Sequence, residues 1–278
     1  VTPKTYVRFS LGQRIQHAVL IVSFTALAVT GLPQKYAATR VGERAIALLG
    51  GIEWARVLHR VAAIVLMAAT IVHLLDVAYR VYVRRRPLSM LPRWPDVLHF
   101  AQTLRYNFGL APGRPRMGRF TFEEKLEYWA LIWGTVIMIV TGFMLWNPIA
   151  TTDVLPGQWI PAALVAHGGE AVLAVLAVIV WHGYGVHLRH FNRSMFTGTM
   201  SEDEMRHEHP LELEEIEAGR HAAGEDAAAV ARRRRLFLPV AAAFSVALLA
   251  GLYWFVTFEK TALDTVPRPR AAAPSYSK

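Results

Sequence analysis

A chain of 278 residues that is 54% hydrophobic, with a mean hydropathy of +0.28, carries more apolar surface than a soluble domain of that size readily hides. It has no cysteine, which excludes CxxCH haem attachment, Cys-ligated iron–sulfur clusters, thiolate catalysis and disulfides within the chain. The formal net charge of +9 is spread over short segments between apolar blocks, and none of these is long enough to form the basic face of a nucleic-acid-binding domain.

Five apolar blocks are each about long enough to span a bilayer as a helix, which takes about 20 residues. The first, Ile15 to Leu32, follows Lys4, Arg8 and Arg14. A cleavable signal peptide also begins with basic residues, but this run has the length of a full span and carries His17, so it is expected to be retained. The second block, Val57 to Val83, holds His59 and His73, and the loop before it carries Lys35, Arg40, Arg44 and Arg56. From Arg80 to Lys125 there are ten Lys and Arg, after which Tyr128 to Trp146 forms the third block. Asn147 to Ala166 contains no Lys or Arg, and the fourth block, Ile160 to Val186, holds His167 and His182. Eight Lys and Arg lie between Arg189 and Arg235, ahead of the fifth block, Leu236 to Phe258, which has no histidine. Arginine-rich loops stay in the cytoplasm, so the expected topology is a multi-pass protein of a bacterial inner membrane with its N-terminus cytoplasmic and its C-terminus periplasmic. Those loops also attract anionic lipid.

The histidines divide by depth. His99, His190, His207, His209 and His221 fall in predicted loops; the fragment around His207 and His209 reads as a solvated loop rather than a metal site, given its mixed charge. His17, His59, His73, His167, His182 and His187 lie in or at the ends of spans, where ionisable groups are rare and costly. His59 and His73 are fourteen residues apart, about 40° short of four helical turns, and His167 and His182 are fifteen apart, about 60° beyond them. Each pair therefore lies near one helix face with its members about 21 Å apart along the axis. Two such helices facing each other offer two imidazoles at each of two depths, which suits two stacked haems. A zinc site would want several ligands at one depth, whereas haem iron needs one histidine from each side. Gly168, Gly169, Gly183 and Gly185 leave room for a macrocycle or for close helix packing. Arg60 beside His59, Arg80 after His73 and Arg189 after His187 are candidates to contact haem propionates, and each can equally anchor a helix end.

The ordered set Arg14-x-x-His17, Thr30-Gly31-Leu32, Leu58-His59-Arg60, His73, Glu124-Lys125-x-Glu127-Tyr128-Trp129, Thr141-Gly142, His167-x-x-Glu170-Ala171 and Trp181-His182-x-Tyr184-x-x-His187 resembles the membrane cytochrome b subunits of respiratory oxidoreductases. That group includes the gamma subunit of formate dehydrogenase and the cytochrome b of membrane-bound hydrogenases. The resemblance, which covers Arg8 to about Glu215, implies an all-α integral membrane fold with a four-helix haem-binding bundle over residues 1–190; composition adds a cytoplasmic linker over 191–235, a fifth transmembrane helix over 236–258 and a flexible extracytoplasmic tail over 259–278. The resemblance also implies haem b, in two or three copies, with quinone as exchangeable substrate. His59 with His167 is the expected outer ligand pair. For the inner haem the family match favours His17 with His182, while spacing favours His73 with His182, and His73 is the expected ligand. His17 and His187 are then left for a third haem or a quinone site, with Asp76 and Arg189 nearby and Glu170 a rival beside the outer pair.

The expected function is electron transfer between the membrane quinone pool and a periplasmic redox subunit, whether a multihaem cytochrome c, an iron–sulfur protein or a molybdopterin protein. The alternatives are a formate dehydrogenase or hydrogenase anchor passing electrons to quinone, and, from another class, a haem-free metal or proton transporter or an assembly anchor.

Overall fold

Three of the long helices start at a side chain that accepts from their first unpaired N–H groups. Ahead of them, residues Thr5–Val7 form a short strand, β1. In the computed structural model, which describes residues 4–189, 191–220 and 226–258, α1 (Leu11–Lys35) begins after Ser10, which forms a reciprocal cap with Gln13. A short helix, α2 (Arg40–Leu48), follows. The turn to α3 (Ile52–Tyr82) passes through Gly50 and Gly51 at φ of 87° and 99°, a region that side chains disfavour. α4 (Trp94–Asn107) precedes α5 (Phe122–Trp146), which Thr121 and Glu124 cap reciprocally. The one-turn α6 (Pro148–Thr152) leads to α7 (Trp159–Leu176), which continues as a wider π-helical segment over Ala177–Arg189. Beyond it come α8 (Ser194–Thr197), a second strand β2 (Thr199–Ser201), α9 (Glu202–Glu208), α10 (Pro210–Glu217) and α11 (Ala227–Thr257).

Five of these helices are long and apolar enough to cross a membrane, and they coincide with the five apolar blocks: Leu11–Lys35, Ile52–Tyr82, Phe122–Trp146, Trp159–Val186 and Ala227–Thr257. α1 packs along α3, α5 along α7, and α1 also meets α7, so two helical hairpins form a four-helix bundle. α11 lies outside it against α3, with Phe237 stacking near Tyr79 and Tyr82, and Phe255 near Phe143 and Trp146. Val22, Trp133, Leu173 and Val240 stand more than half exposed on the outer surface. That surface is stable only where lipid is the solvent, and the protein is an all-α integral membrane protein.

The linker expected over 191–235 is structured for much of its length. α11 begins inside it, because the alanines and Arg232 to Arg235 favour helix and continue the apolar span without a break. The preceding stretch folds back as a cap on one end of the bundle. β2 pairs antiparallel with β1, Tyr6 opposite Met200, and Tyr6, Met200, Met205 and Leu213 form a small apolar core. Beside it Arg8 and Glu212, both almost fully buried, form an ion pair that Arg119 joins. Arg8 and Arg119 donate to each other's main-chain carbonyls at 2.8 and 2.6 Å. His209, expected in solvent, is buried here: its Nδ1–H donates to the Gly118 carbonyl at 2.8 Å and its Nε2 accepts from Arg8 at 3.1 Å. Desolvation and the Arg8 guanidinium pull its pKa down to about 3, so it is held neutral.

Candidate metal centre

Because α1 and α3 run side by side, Thr30 near the end of α1 meets His59 near the start of α3. The threonine hydroxyl donates to the Ala26 carbonyl at 2.6 Å, so its lone pair faces His59 Nδ1, 2.9 Å away, and Nδ1 carries the ring proton. The second hairpin repeats this device. Thr141 donates to the Ile137 carbonyl at 2.6 Å and accepts from His167 Nδ1 at 2.9 Å. Each threonine is followed by a glycine pressed on the same ring: a β-carbon at Gly31 would stand 2.8 Å from His59 Cε1, and one at Gly142 would stand 3.3 Å from His167 Cε1. The two imidazoles face each other with centroids 6.3 Å apart and planes inclined at 68°.

At the cap end of the same four helices, His17 faces His182 with centroids 6.4 Å apart and planes inclined at 42°. Here the group behind the ring is a carboxylate, since His182 Nδ1 lies 3.0 Å from Glu127 Oε2. Along α1 the thirteen residues from His17 to Thr30 separate the two levels by about 20 Å.

Both pairs fit an iron atom between them. Two metal–imidazole bonds of about 2.0–2.1 Å, with about 1.1 Å from each ligating nitrogen to its ring centre, set the centroids about 6.3 Å apart. Direct hydrogen bonding between the rings would bring them about 1 Å closer. No group of three or more metal-binding side chains occurs among the described residues, so a bare ion would lack ligands that a haem macrocycle supplies. In the first pair the Nδ1 atoms are engaged by threonine, so Nε2 would be the atom offered to a metal.

His73 does not face His182, contrary to the expectation from spacing. Its Nδ1 donates to Gln16 Oε1 at 3.0 Å and its Nε2 accepts from the Tyr128 hydroxyl at 2.9 Å, so protein groups occupy both ring nitrogens. Successive residues on a helix point about 100° apart, and on α1 Gln16 turns to α3 while His17 turns to α7 and takes the place opposite His182. The fifteen-residue overshoot on α7 is also reduced, because a π turn uses more residues than an α turn and His182 lies within that segment. The side chains of His187 and Arg189 lie outside the described residues, as do His190, His221 and the tail from residue 259 onward.

Of the cationic candidates, Arg60 stacks over the Trp146 ring at 4.6 Å, and Arg80 pairs with Asp76 at 2.8 Å and donates to the Ser10 hydroxyl at 3.2 Å. Lys35 brings a further positive charge to the first pair: its Nζ lies over Gly168, next to His167, where a β-carbon would stand 2.8 Å away. The Glu170 carboxylate rests against Gly134 of α5. Sequence reasoning gave no role to Gln16, Thr30, Glu127, Tyr128 or Thr141. A signal for the threonines exists, since a Thr-Gly step recurs in the first and third spans ahead of a histidine in the next.

The family model described as prokaryotic cytochrome b561 matches residues 8–198. The cytochrome b556(fdo) subunit of formate dehydrogenase from Escherichia coli strain K12 is 27% identical over 183 residues, which cover 65% of this chain and 78% of that subunit. The same subunit from Escherichia coli O6:H1 and O157:H7 matches equally well.

Proposed function

Since the chain belongs to the prokaryotic cytochrome b561 family and is therefore a multi-pass membrane cytochrome b of electron transfer, we propose that it is a two-haem subunit linking the quinone pool to a redox partner at one membrane face. His59 and His167 hold one haem, and His17 with His182, rather than His73 with His182, hold the other. The observation that carries this reading is the two pairs of facing imidazoles, at 6.3 and 6.4 Å, one pair at each depth. Haem bound at the two levels supplies a one-electron carrier near each side of the low-dielectric layer.

The remaining work falls to the chain's own side chains. Thr30 and Thr141 fix ring orientation and tautomer, Gly31 and Gly142 admit the rings, and Lys35 offers an ammonium to a propionate. Quinone chemistry needs protons moved together with electrons, and the cap end supplies the means. His73 Nε2 and the Tyr128 hydroxyl share one proton, Gln16 fixes the other ring nitrogen, and Asp76 with Arg80 lies less than two turns further along α3. A quinol bound there releases two protons as its electrons leave: the first would enter at the Tyr128 hydroxyl, which passes its own proton to His73 Nε2, and the second would go to Asp76. The Arg-rich loops at this end support a cytoplasmic position for it, and the partner would then dock at the other end.

A second reading is favoured by the likeness to a formate dehydrogenase subunit: the same site run in reverse, reducing quinone with electrons from a dehydrogenase partner. A reduced-minus-oxidised spectrum and haem-to-protein ratio of the purified chain test the proposal. Two b-type haems are expected, one lost in His17→Ala and none in His73→Ala; absence of a b-type band, or loss of a haem in His73→Ala alone, overturns it.

A further inference from the structure

The two histidine pairs have unlike groups behind them. At one end both Nδ1 atoms meet neutral hydroxyls, Thr30 and Thr141, each at 2.9 Å. At the other, His182 Nδ1 meets the Glu127 carboxylate at 3.0 Å. Glu127 stands in the second turn of α5, and its neighbour Tyr128 turns away to His73. Among the described residues at this end, Asp76 and Arg80 are paired with each other at 2.8 Å, and the Arg14 guanidinium, one turn before His17 on α1, donates to the Phe196 carbonyl. Near the first pair the Lys35 ammonium lies over Gly168, next to His167, while the Glu170 carboxylate rests against Gly134 one turn further along α7.

A carboxylate that accepts the imidazole proton pushes electron density onto the ring and makes it a stronger donor, far more than a hydroxyl does. Stronger donation and a nearby negative charge stabilise ferric iron over ferrous iron, which lowers the reduction potential. Resting on the two-haem reading above, we infer that Glu127 is a positioning residue that makes the two haems unequal, the His17–His182 haem having the lower potential. An electron shared between the two levels then resides at the His59–His167 end, which favours oxidation of quinol at the cap end and delivery to a partner at the other.

Spectroelectrochemical titration of the full chain loaded with haem tests this. Two b-type components are expected, the lower one absent in His182→Ala and the higher one absent in His59→Ala. In Glu127→Gln, which keeps the side-chain shape and removes the charge, the lower component should rise by at least tenfold in its reduction equilibrium, about 59 mV for one electron, while the higher stays in place. Glu127→Asp should keep most of the gap. The inference is overturned if His182→Ala removes the higher component, or if Glu127→Gln leaves the gap unchanged or moves both components together. Should Glu127→Gln retain only one haem, the order found in the two histidine variants still decides. A wild-type preparation with no b-type band instead overturns the two-haem reading itself.

Discussion

At the His59–His167 end, two hairpins do the same thing twice: a threonine closes onto its own helix, presents a lone pair to the histidine of the next helix, and is followed by a glycine against that ring. At the His17–His182 end nothing is repeated. One histidine is backed by a carboxylate, and a third histidine stands beside the pair, held by an amide and a phenol. The repeated end has the chemistry of a holder, with threonine hydroxyls and glycines set against the two rings. The unrepeated end concentrates groups that exchange protons, so the specialised step of the protein is expected there.

The strongest challenge to this contrast is to remove ligands. His59→Ala or His167→Ala should halve the haem-to-protein ratio measured after extraction, and His17→Ala should halve it through the other haem, while His73→Ala leaves it whole. Next comes the cap. Arg8→Ala takes from the buried Glu212 carboxylate a buried guanidinium partner, and a loss of about 3 kcal/mol of cap stability should appear as faster proteolysis and hydrogen exchange over 199–217. Unchanged exchange there would mean that Glu212 is held well enough without Arg8. At the repeated end, Gly31→Ala should displace the His59 ring and reduce haem retention more than Gly142→Ala does at His167, because the added methyl would stand 2.8 Å from the ring in the first case and 3.3 Å in the second. Equal retention would break the link between glycine contact and haem seating.

Tyr128→Phe separates holding from proton exchange. Both haems should remain and be fully reduced by dithionite, while quinol-driven reduction slows by about a hundredfold, the lower range for loss of a positioned acid–base group. The smallest effect is a pH dependence. His209 is held neutral with its pKa near 3, whereas an unfolded imidazole titrates near 6.5, so the unfolded cap takes up a proton first as pH falls. Cap stability is thus full above about 6.5 and declines on acidification toward about 3, and hydrogen exchange over 199–217 at graded pH should follow that course.

The five spans and the His59–His167 pair were legible in the sequence because both depend on one-dimensional properties, apolar run length and residue spacing. The partner of His182 was not. Spacing along α3 brings His73 to the correct depth, but which of two neighbouring helices faces α7 is settled by packing between hairpins, and by the rotation that separates Gln16 from His17. The cap was hidden for a different reason. Its apolar core has four buried side chains, Tyr6, Met200, Met205 and Leu213, drawn from segments far apart in the chain, so no local periodicity announces it. His209 looked like a solvated loop residue for the same reason.

The pairing of β1 with β2 bears on how the protein is made. Val7 waits for Thr199, nearly two hundred residues later, so the strand that opens the cap has no mate until all four bundle helices have been synthesised. Closing so long a loop costs only logarithmically more than closing a short one, and the wait is therefore a matter of order rather than of difficulty. A ribosome stalled before Glu212 would leave Arg8 without the carboxylate that buries it. Closure of the cap thus requires a chain whose four bundle helices have all been synthesised.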